Sequence, residues 1–359
     1  MNEYVSKNIS TLFSFDTEYS ADSVEWCPHE PNQNVFVCGN YYLLDCDEAG
    51  QKKRLGTIML FSVTQNNTLK MHQILNTAAV LDQKWCHNKI NNYALLGVAN
   101  SSKRVEVYRL NSEKMQIDLI SSIEIQNCES ETLILSLDWS TAIYGSNEPE
   151  IVCSDSKGRI HLMKLIDNNI ILLNTWQGHD FEAWISAFYY WDTNIFFSGG
   201  DDGLFLKFDK RIENQAIAKI KCHGAGVTSL HSSCFKENIL ASGSYDEYIR
   251  LWDIRKMKNE ISSIKMPGTL WRVKWNPINQ NYLLAACMLG GIHIVKLGNV
   301  YNMTITGSYH EHKNISYGAD WSYLKGDSCN KIASDATAIL GTCSFYDHLL
   351  CVSKYTSVL

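Results

Sequence analysis

The sequence predicts an all-β fold, a seven-bladed propeller closed by an N-terminal strand in its last blade, and three observations predict it. The first is an internal duplication: GGDDGLFLKFDKR at residues 199–211 returns as GSYDEYIRLWDIR at 243–255, setting Asp202 against Asp246, Phe208 against Trp252 and Arg211 against Arg255. The second is an alternating stretch that recurs seven times, as TIMLFSV, RVEVYRL, RIHLMKL, LFLKFDK, YIRLWDI, GIHIVKL and HLLCVSK. Its large apolar position falls on Phe61, Tyr108, Met163, Phe208, Trp252, Val295 and Val352, at intervals of 43 to 57 residues. Propeller blades repeat at roughly 40 to 45 residues, and loop insertions lengthen the interval. The third is an earlier strand in each unit that ends on a ring side chain: SVEW, DQKW, LSLDW, SAFYY, VTSLH, RVKW and GADW. Period-two alternation over four to six residues between turn residues is the β-strand signature.

A four-stranded sheet has two apolar faces that it cannot bury alone, and packing such sheets radially buries both while leaving only short edges. Taken in order, the units span residues 19–75, 76–125, 126–175, 176–220, 221–263, 264–307 and 308–359, one propeller over residues 1–359. The alternating ISTLFSF at 9–15 precedes the first unit and is expected to complete the seventh as its outer strand.

Composition suits this fold. The chain has 359 residues, 45% hydrophobic and 19% charged, enough apolar content for a large core and too little charge for disorder. Twelve cysteines are scattered singly and read as reduced and mostly buried. Without a C-x-x-C pair, and with the HEH of His310 to His312 lacking a partner cluster, no metal is expected. The net charge of -6, with no run of Lys or Arg, argues against nucleic acid as a partner and suits a cationic ligand. No stretch approaches the roughly 18 apolar residues of a membrane span, so no membrane partner and a cytoplasmic location are expected. A closed ring has no long free edge, which makes a monomer the expected state.

The repeat resembles the WD-repeat family, in which the turn Asp is structural. The resemblance implies that Asp202 and Asp246 accept hydrogen bonds in the turn between the second and third strands, including from His179 and His223 at the family's Gly-His position. Lys157, Ser102 and Leu289 stand at the turn-Asp position of other blades, which are therefore expected to rely on packing. The residue before the turn Asp faces the upper mouth of the channel in this family: Asp201, Tyr245, Met288 and Tyr346. Trp184, Trp271 and Tyr317, at the starts of inner strands, join the same rim. Such aromatics serve either as partner-contact anchors or as a cage for a quaternary ammonium, which cation-π attraction holds at roughly 0.5 to 2 kcal/mol per contact. Glu25, Lys84, Asp138, Lys274 and Asp320, each just before an inner-strand ring residue, are expected to form salt links lining the channel.

The sequence has no G-x-S-x-G, H-E-x-x-H, Walker or dinucleotide motif, so no cofactor is expected. A propeller without such motifs is by default a non-catalytic scaffold or adaptor for protein complexes. The densest polar cluster, GHDFEAWI at 178–185, brings His179, Asp180 and Glu182 near Asp201; a His paired with a carboxylate can activate water as a general base.

The segments DTEYSADSVEWCP, HDFEAWI, SGGDDGLFLKFDKR, LASGSYDEYIRLWDIR, LWRVKWNP, LLAACM, YGADW and TCSFYDH run from residue 16 to residue 348. They closely resemble the diphthine methylesterases, the WD-repeat family of diphthamide biosynthesis. That resemblance implies an ester hydrolase that removes a methyl group from methylated diphthine on translation elongation factor 2, its expected partner, releasing methanol. The substrate's trimethylammonium then suits a cage of Tyr245, Trp271, Tyr346 and Trp184, with Tyr317 on the same rim. His179 with Asp201 or Asp180 would activate water, and the N–H groups of Gly199 and Gly200 would hold the oxyanion. A serine acyl-enzyme through Ser23, Ser244 or Ser344 is the alternative.

Overall fold

Each repeat folds into a four-stranded antiparallel sheet, and seven sheets ring a central channel in a computed structural model that describes residues 8–44, 53–64, 68–126, 129, 131–324 and 337–356. The innermost strands are Ser20–Trp26, Val80–Trp85, Ile134–Trp139, Ile185–Phe188, Val227–Ser232, Arg272–Trp275 and Ser316–Trp321, in blades 1 to 7. Each lies against the inner strand of the next blade, and the seventh against the first. No helix occurs among the described residues.

Burial explains the repeat. Phe61, Tyr108, Met163, Phe208, Trp252, Val295 and Val352 all sit on third strands and all are buried. Apolar side chains from facing blades share one core at each junction: Phe197 and Phe205 of blade 4 pack with Leu240 and Trp252 of blade 5. The junction of blades 6 and 7 joins Leu284 and Ile294 to Trp321 and Leu340 in the same way.

The ring side chain that ends each inner strand has a specific task. Four indole N–H groups donate to the inner strand of the preceding blade: Trp85 to Glu25 O (3.1 Å), Trp139 to Lys84 O (2.9 Å), Trp275 to His231 O (2.9 Å) and Trp321 to Lys274 O (3.1 Å). Trp26 closes the circle differently, since its Nε1 has no partner and its backbone N–H instead donates to Asp320 Oδ2 at 2.7 Å. Every such bond satisfies a buried polar group while fixing the angle between two blades.

The expected channel salt links form in part. Lys274 pairs with Glu25 and, at 3.1 Å, with Asp320, so blades 1, 6 and 7 meet at one ammonium. Asp138 accepts instead from Phe188 N at 2.8 Å and the Tyr190 hydroxyl at 3.1 Å.

Closure also follows the sequence. Ile9–Asp16 pairs antiparallel with Leu349–Thr356, from Ile9 against Tyr355 to Asp16 against Leu349, as the outer strand of blade 7. Phe15 meets Phe61 edge to face at 5.1 Å, tying this strand to blade 1 as well.

Blade 3 corrects one expectation. Lys157 takes the turn-Asp position, yet the turn does not depend on packing alone. Asp155, two residues earlier, accepts from Lys157 N (2.8 Å), Arg159 N (3.0 Å), Arg159 Nε (2.7 Å) and His161 Nε2 (3.0 Å). The donor histidine has moved to the third strand, which hides this network from a search for Gly-His spacing.

Candidate functional site

Blades 4 and 5 carry matching polar networks beneath the upper face. In blade 5, Asp246 accepts from His223 Nδ1 (3.0 Å), Gly224 N (2.9 Å), Tyr248 N (3.0 Å) and Arg250 Nη1 (2.8 Å). The Ser242 hydroxyl donates to His223 Nε2 at 2.8 Å and accepts from Trp252 Nε1 at 2.8 Å. Burial works to raise the Asp246 pKa, but the hydrogen bond from His223 and the two backbone N–H groups hold it well below the usual carboxylate range.

In blade 4, His179 Nδ1 donates to Asp202 at 3.0 Å and its Nε2 accepts from the Ser198 hydroxyl at 2.7 Å. His179 is 1% exposed. Both ring nitrogens are engaged as in His223, so the expectation that His179 activates water finds no free nitrogen to do it. Asp180 is exposed, and its backbone N–H is turned to Asp202 Oδ2 at 3.4 Å. The expected oxyanion donors are committed too, with Gly199 inside the strand ladder and Gly200 N bound to Leu204 O at 3.2 Å. Of the alternative nucleophiles, Ser244 and Ser344 are struts, donating to Ala225 O at 3.1 Å and to Asp347, while Ser23 is buried beside Gly39 with its hydroxyl unpartnered.

The rim aromatics come together. Trp184 lies edge-on to Trp271 at 5.6 Å and to Tyr245 at 6.2 Å, Tyr245 is stacked with Trp271 at 6.3 Å, and Trp271 is stacked with Tyr317 at 4.6 Å. The four are half-buried, so none is sealed from solvent. Asp201 stands beside them as a carboxylate, accepting from Trp184 Nε1 at 2.9 Å. Gly226 explains the close approach, because a Cβ there would meet Asp201 Oδ1 at 2.9 Å and the Tyr245 ring at 3.1 Å.

Tyr346 is less involved than expected. It is 63% exposed and reaches the group only through Phe345, whose ring lies 4.9 Å from Tyr346 and 5.1 Å from Tyr317. Sequence reasoning passed over Phe345 and Tyr41, which extend the aromatic row at 5.6 Å from each other. Phe345, two residues before Asp347, is one step beyond the position taken to face the mouth.

Below the aromatics, charges cross the channel. Arg272 reaches from blade 6 to Asp82 Oδ1 of blade 2 at 3.2 Å, while Asp82 Oδ2 accepts from Lys84 Nζ at 2.9 Å and Leu137 N at 3.0 Å. Asp22 of blade 1 is 4% exposed and its Oδ1 has no hydrogen-bond partner. Burial raises its pKa well above the usual range, against the pull of the Arg272 guanidinium.

The mouth thus joins a four-ring aromatic surface, an acidic edge and a guanidinium floor, an arrangement able to seat a soft cation and to polarise a carbonyl next to it.

Comparison with known proteins agrees with this architecture. The family described as WD domain, G-beta repeat matches residues 214–253. The chain is similar to a human protein named diphthine methyltransferase, 40% identical over 87% of this chain and 75% of that protein. It is likewise similar to the diphthine methyltransferase homolog of Dictyostelium discoideum, 34% identical over 93% of this chain and 96% of the homolog. Among solved structures, a chain in the crystal structure of a mitotic checkpoint complex superposes with a TM-score of 0.71 over 99% of this chain and 96% of its own length. At 15% identity that likeness concerns the fold alone.

Proposed function

The chain belongs to the diphthine methyltransferase family, and from that premise we propose that it acts in diphthamide biosynthesis as a hydrolase of the methyl ester of methylated diphthine. The protein substrate is translation elongation factor 2, the products diphthine and methanol. The relatives' name speaks of methyl transfer; here the ester's acyl group is transferred to water.

The observation that carries this reading is the arc of Trp184, Tyr245, Trp271 and Tyr317 beside Asp201. A trimethylammonium has no N–H to donate, so hydrogen-bond acceptors alone cannot select it. Aromatic faces can, at roughly 0.5 to 2 kcal/mol per contact, and an adjacent carboxylate adds a longer-range attraction. The net charge of -6 draws a cationic group toward the protein before contact is made.

Methanol release from the methylated factor, measured with purified protein, tests the reading. Release that depends on the protein and leaves a free carboxylate on the factor is expected. A protein that binds the factor yet releases no methanol would be a scaffold.

A further inference from the structure

The mouth holds one buried carboxyl group to which the arc assigns no task. Asp22 stands on a bulge at the start of the blade 1 inner strand, where the register steps from Ala21 to Ser23. Bulges at the same level of blades 2, 3 and 5 carry Leu81, Leu135 and Thr228, none of them ionisable. In blades 6 and 7 that level carries Trp271 and Tyr317. Asp22 therefore follows Tyr317 around the ring, at the end of the aromatic arc.

Two observations set this carboxyl apart from an ordinary structural one. Asp82 Oδ1 also lacks a hydrogen bond but is ion-paired with Arg272, and other carboxylates of the channel are bound by an ammonium or by backbone N–H groups, whereas among the described residues Asp22 Oδ1 is buried with neither. The indole Nε1 of Trp271 is unpartnered as well, as are the neighbouring hydroxyls of Ser23 and Ser316, so unmatched polar atoms gather at this end of the inner strands. Buried polar groups are normally matched, and an unmatched one calls for an explanation, a catalytic role among them. The charged and titratable groups that act on Asp22 are Arg272 from blade 6, Asp82 from blade 2, and Tyr317 and Cys343 from blade 7.

We propose that Asp22 is the general base of the ester hydrolysis and that Arg272 beside it receives the oxyanion. This rests on the esterase reading above. In the ester of a trimethylated α-amino acid, the ammonium nitrogen and the ester carbonyl are borne by one carbon, about 2.5 Å apart across it. Whatever holds the ammonium thus fixes the carbonyl beside the cage. The catalytic groups must then border the arc, as Asp22 does beside Tyr317.

In the step, the Asp22 carboxylate takes a proton from water while the water oxygen bonds to the carbonyl carbon. The carbonyl π pair moves onto oxygen, facing the Arg272 guanidinium. Collapse re-forms the carbonyl and breaks the bond to the methoxy oxygen, which takes the proton from Asp22 and leaves as methanol. The carboxylic acid then loses its proton to solvent, and Asp22 is again a carboxylate. Burial, which lifts the Asp22 pKa, makes this carboxylate a stronger base than an exposed one.

The experiment is steady-state methanol release from elongation factor 2 carrying methylated diphthine, for wild type, Asp22→Asn and Asp22→Glu between pH 5 and 9. Asp22→Asn is expected to lose about 100-fold or more in kcat with KM within about threefold, the range that general-base catalysis supplies. The wild-type kcat/KM is expected to fall toward acid as Asp22 takes up its proton, and Asp22→Glu to keep part of the activity with the acid limb displaced. If the wild type releases methanol and Asp22→Asn stays within about threefold of it in kcat, the assignment to Asp22 is overturned while the esterase reading stands. If the wild type itself releases none, the esterase reading falls and takes this assignment with it. Should Asp22→Asn fail to fold, the displaced acid limb of Asp22→Glu decides, and an unmoved limb overturns the assignment.

Discussion

Asp246 and Asp22 are both carboxylates near the upper face of the ring, in opposite circumstances. Asp246 accepts four hydrogen bonds and is held well below the usual carboxylate range. Asp22 has an oxygen with no partner and is pushed well above that range by burial. The first arrangement stabilises the ion and fixes a turn. The second leaves a group whose charge depends on what arrives beside it. The same fold keeps the two types apart by a small shift: Asp202 and Asp246 serve the turn, while Asp201 and Tyr245, one residue earlier, face the mouth.

The comparison can be broken most directly at Asp22, where substitution by Asn should cost about 100-fold or more in kcat while leaving the transition temperature near wild type. Next in size is His223→Ala, which removes one of the four bonds to Asp246 and the acceptor of the Ser242 hydroxyl. It should lower unfolding free energy by about 2 to 3 kcal/mol in denaturant titration while the folded fraction keeps its kcat. His179→Ala should do the same in blade 4, and a selective loss of kcat there would make His179 catalytic after all. The pH dependence has a definite sign. Burial lowers the His223 pKa, so below about pH 6.5 the unfolded chain takes up a proton that the folded one refuses, and stability falls with acidification. Asp246 adds to the fall at lower pH, since its contribution is full above its unfolded pKa and is lost as pH drops through its depressed folded value. His223→Ala should show a shallower acid slope than wild type.

Smaller effects sharpen the contrast at the arc. Trp271 touches Trp184, Tyr245 and Tyr317, so Trp271→Ala should weaken substrate binding about 10- to 30-fold, seen as a rise in KM with a smaller change in kcat. Asp201 is exposed, and Asp201→Asn should cost only about threefold in KM at low salt and less as salt is added.

The propeller was legible because its signals are local and repeated. Alternation marks each strand, and the need to bury a large side chain at the position of Trp252 recurs in every blade. Strand Ile9–Asp16 was legible for the same reason. The Asp155 network of blade 3 was not, because it exchanges the partner residues while keeping the geometry. At the mouth, alternation and the turn residue located Trp184, Tyr245, Trp271 and Tyr317. Asp22 escaped because a bulge, which alternation does not reveal, turns it, and because its burial and its neighbour Arg272 come from blades remote in sequence. His179 was misleading for the converse reason: a His beside carboxylates has the composition of a catalytic pair, and only its two occupied nitrogens show that it is a strut.

The pairing of Ile9–Asp16 with Leu349–Thr356 also dictates an order of events during synthesis. The first strand leaves the ribosome some 330 residues before its partner, a wait of roughly 15 to 70 s at about 5 to 20 residues per second. During that interval blades 1 to 6 can assemble as an open arc, with blade 7 unfinished and Phe13 and Phe15 lacking their blade 7 neighbours Leu350 and Val352. The channel mouth, which needs blades 6, 7 and 1 side by side, comes into being only when the ring closes, so a nascent chain that still lacks Leu349–Thr356 cannot hold the site.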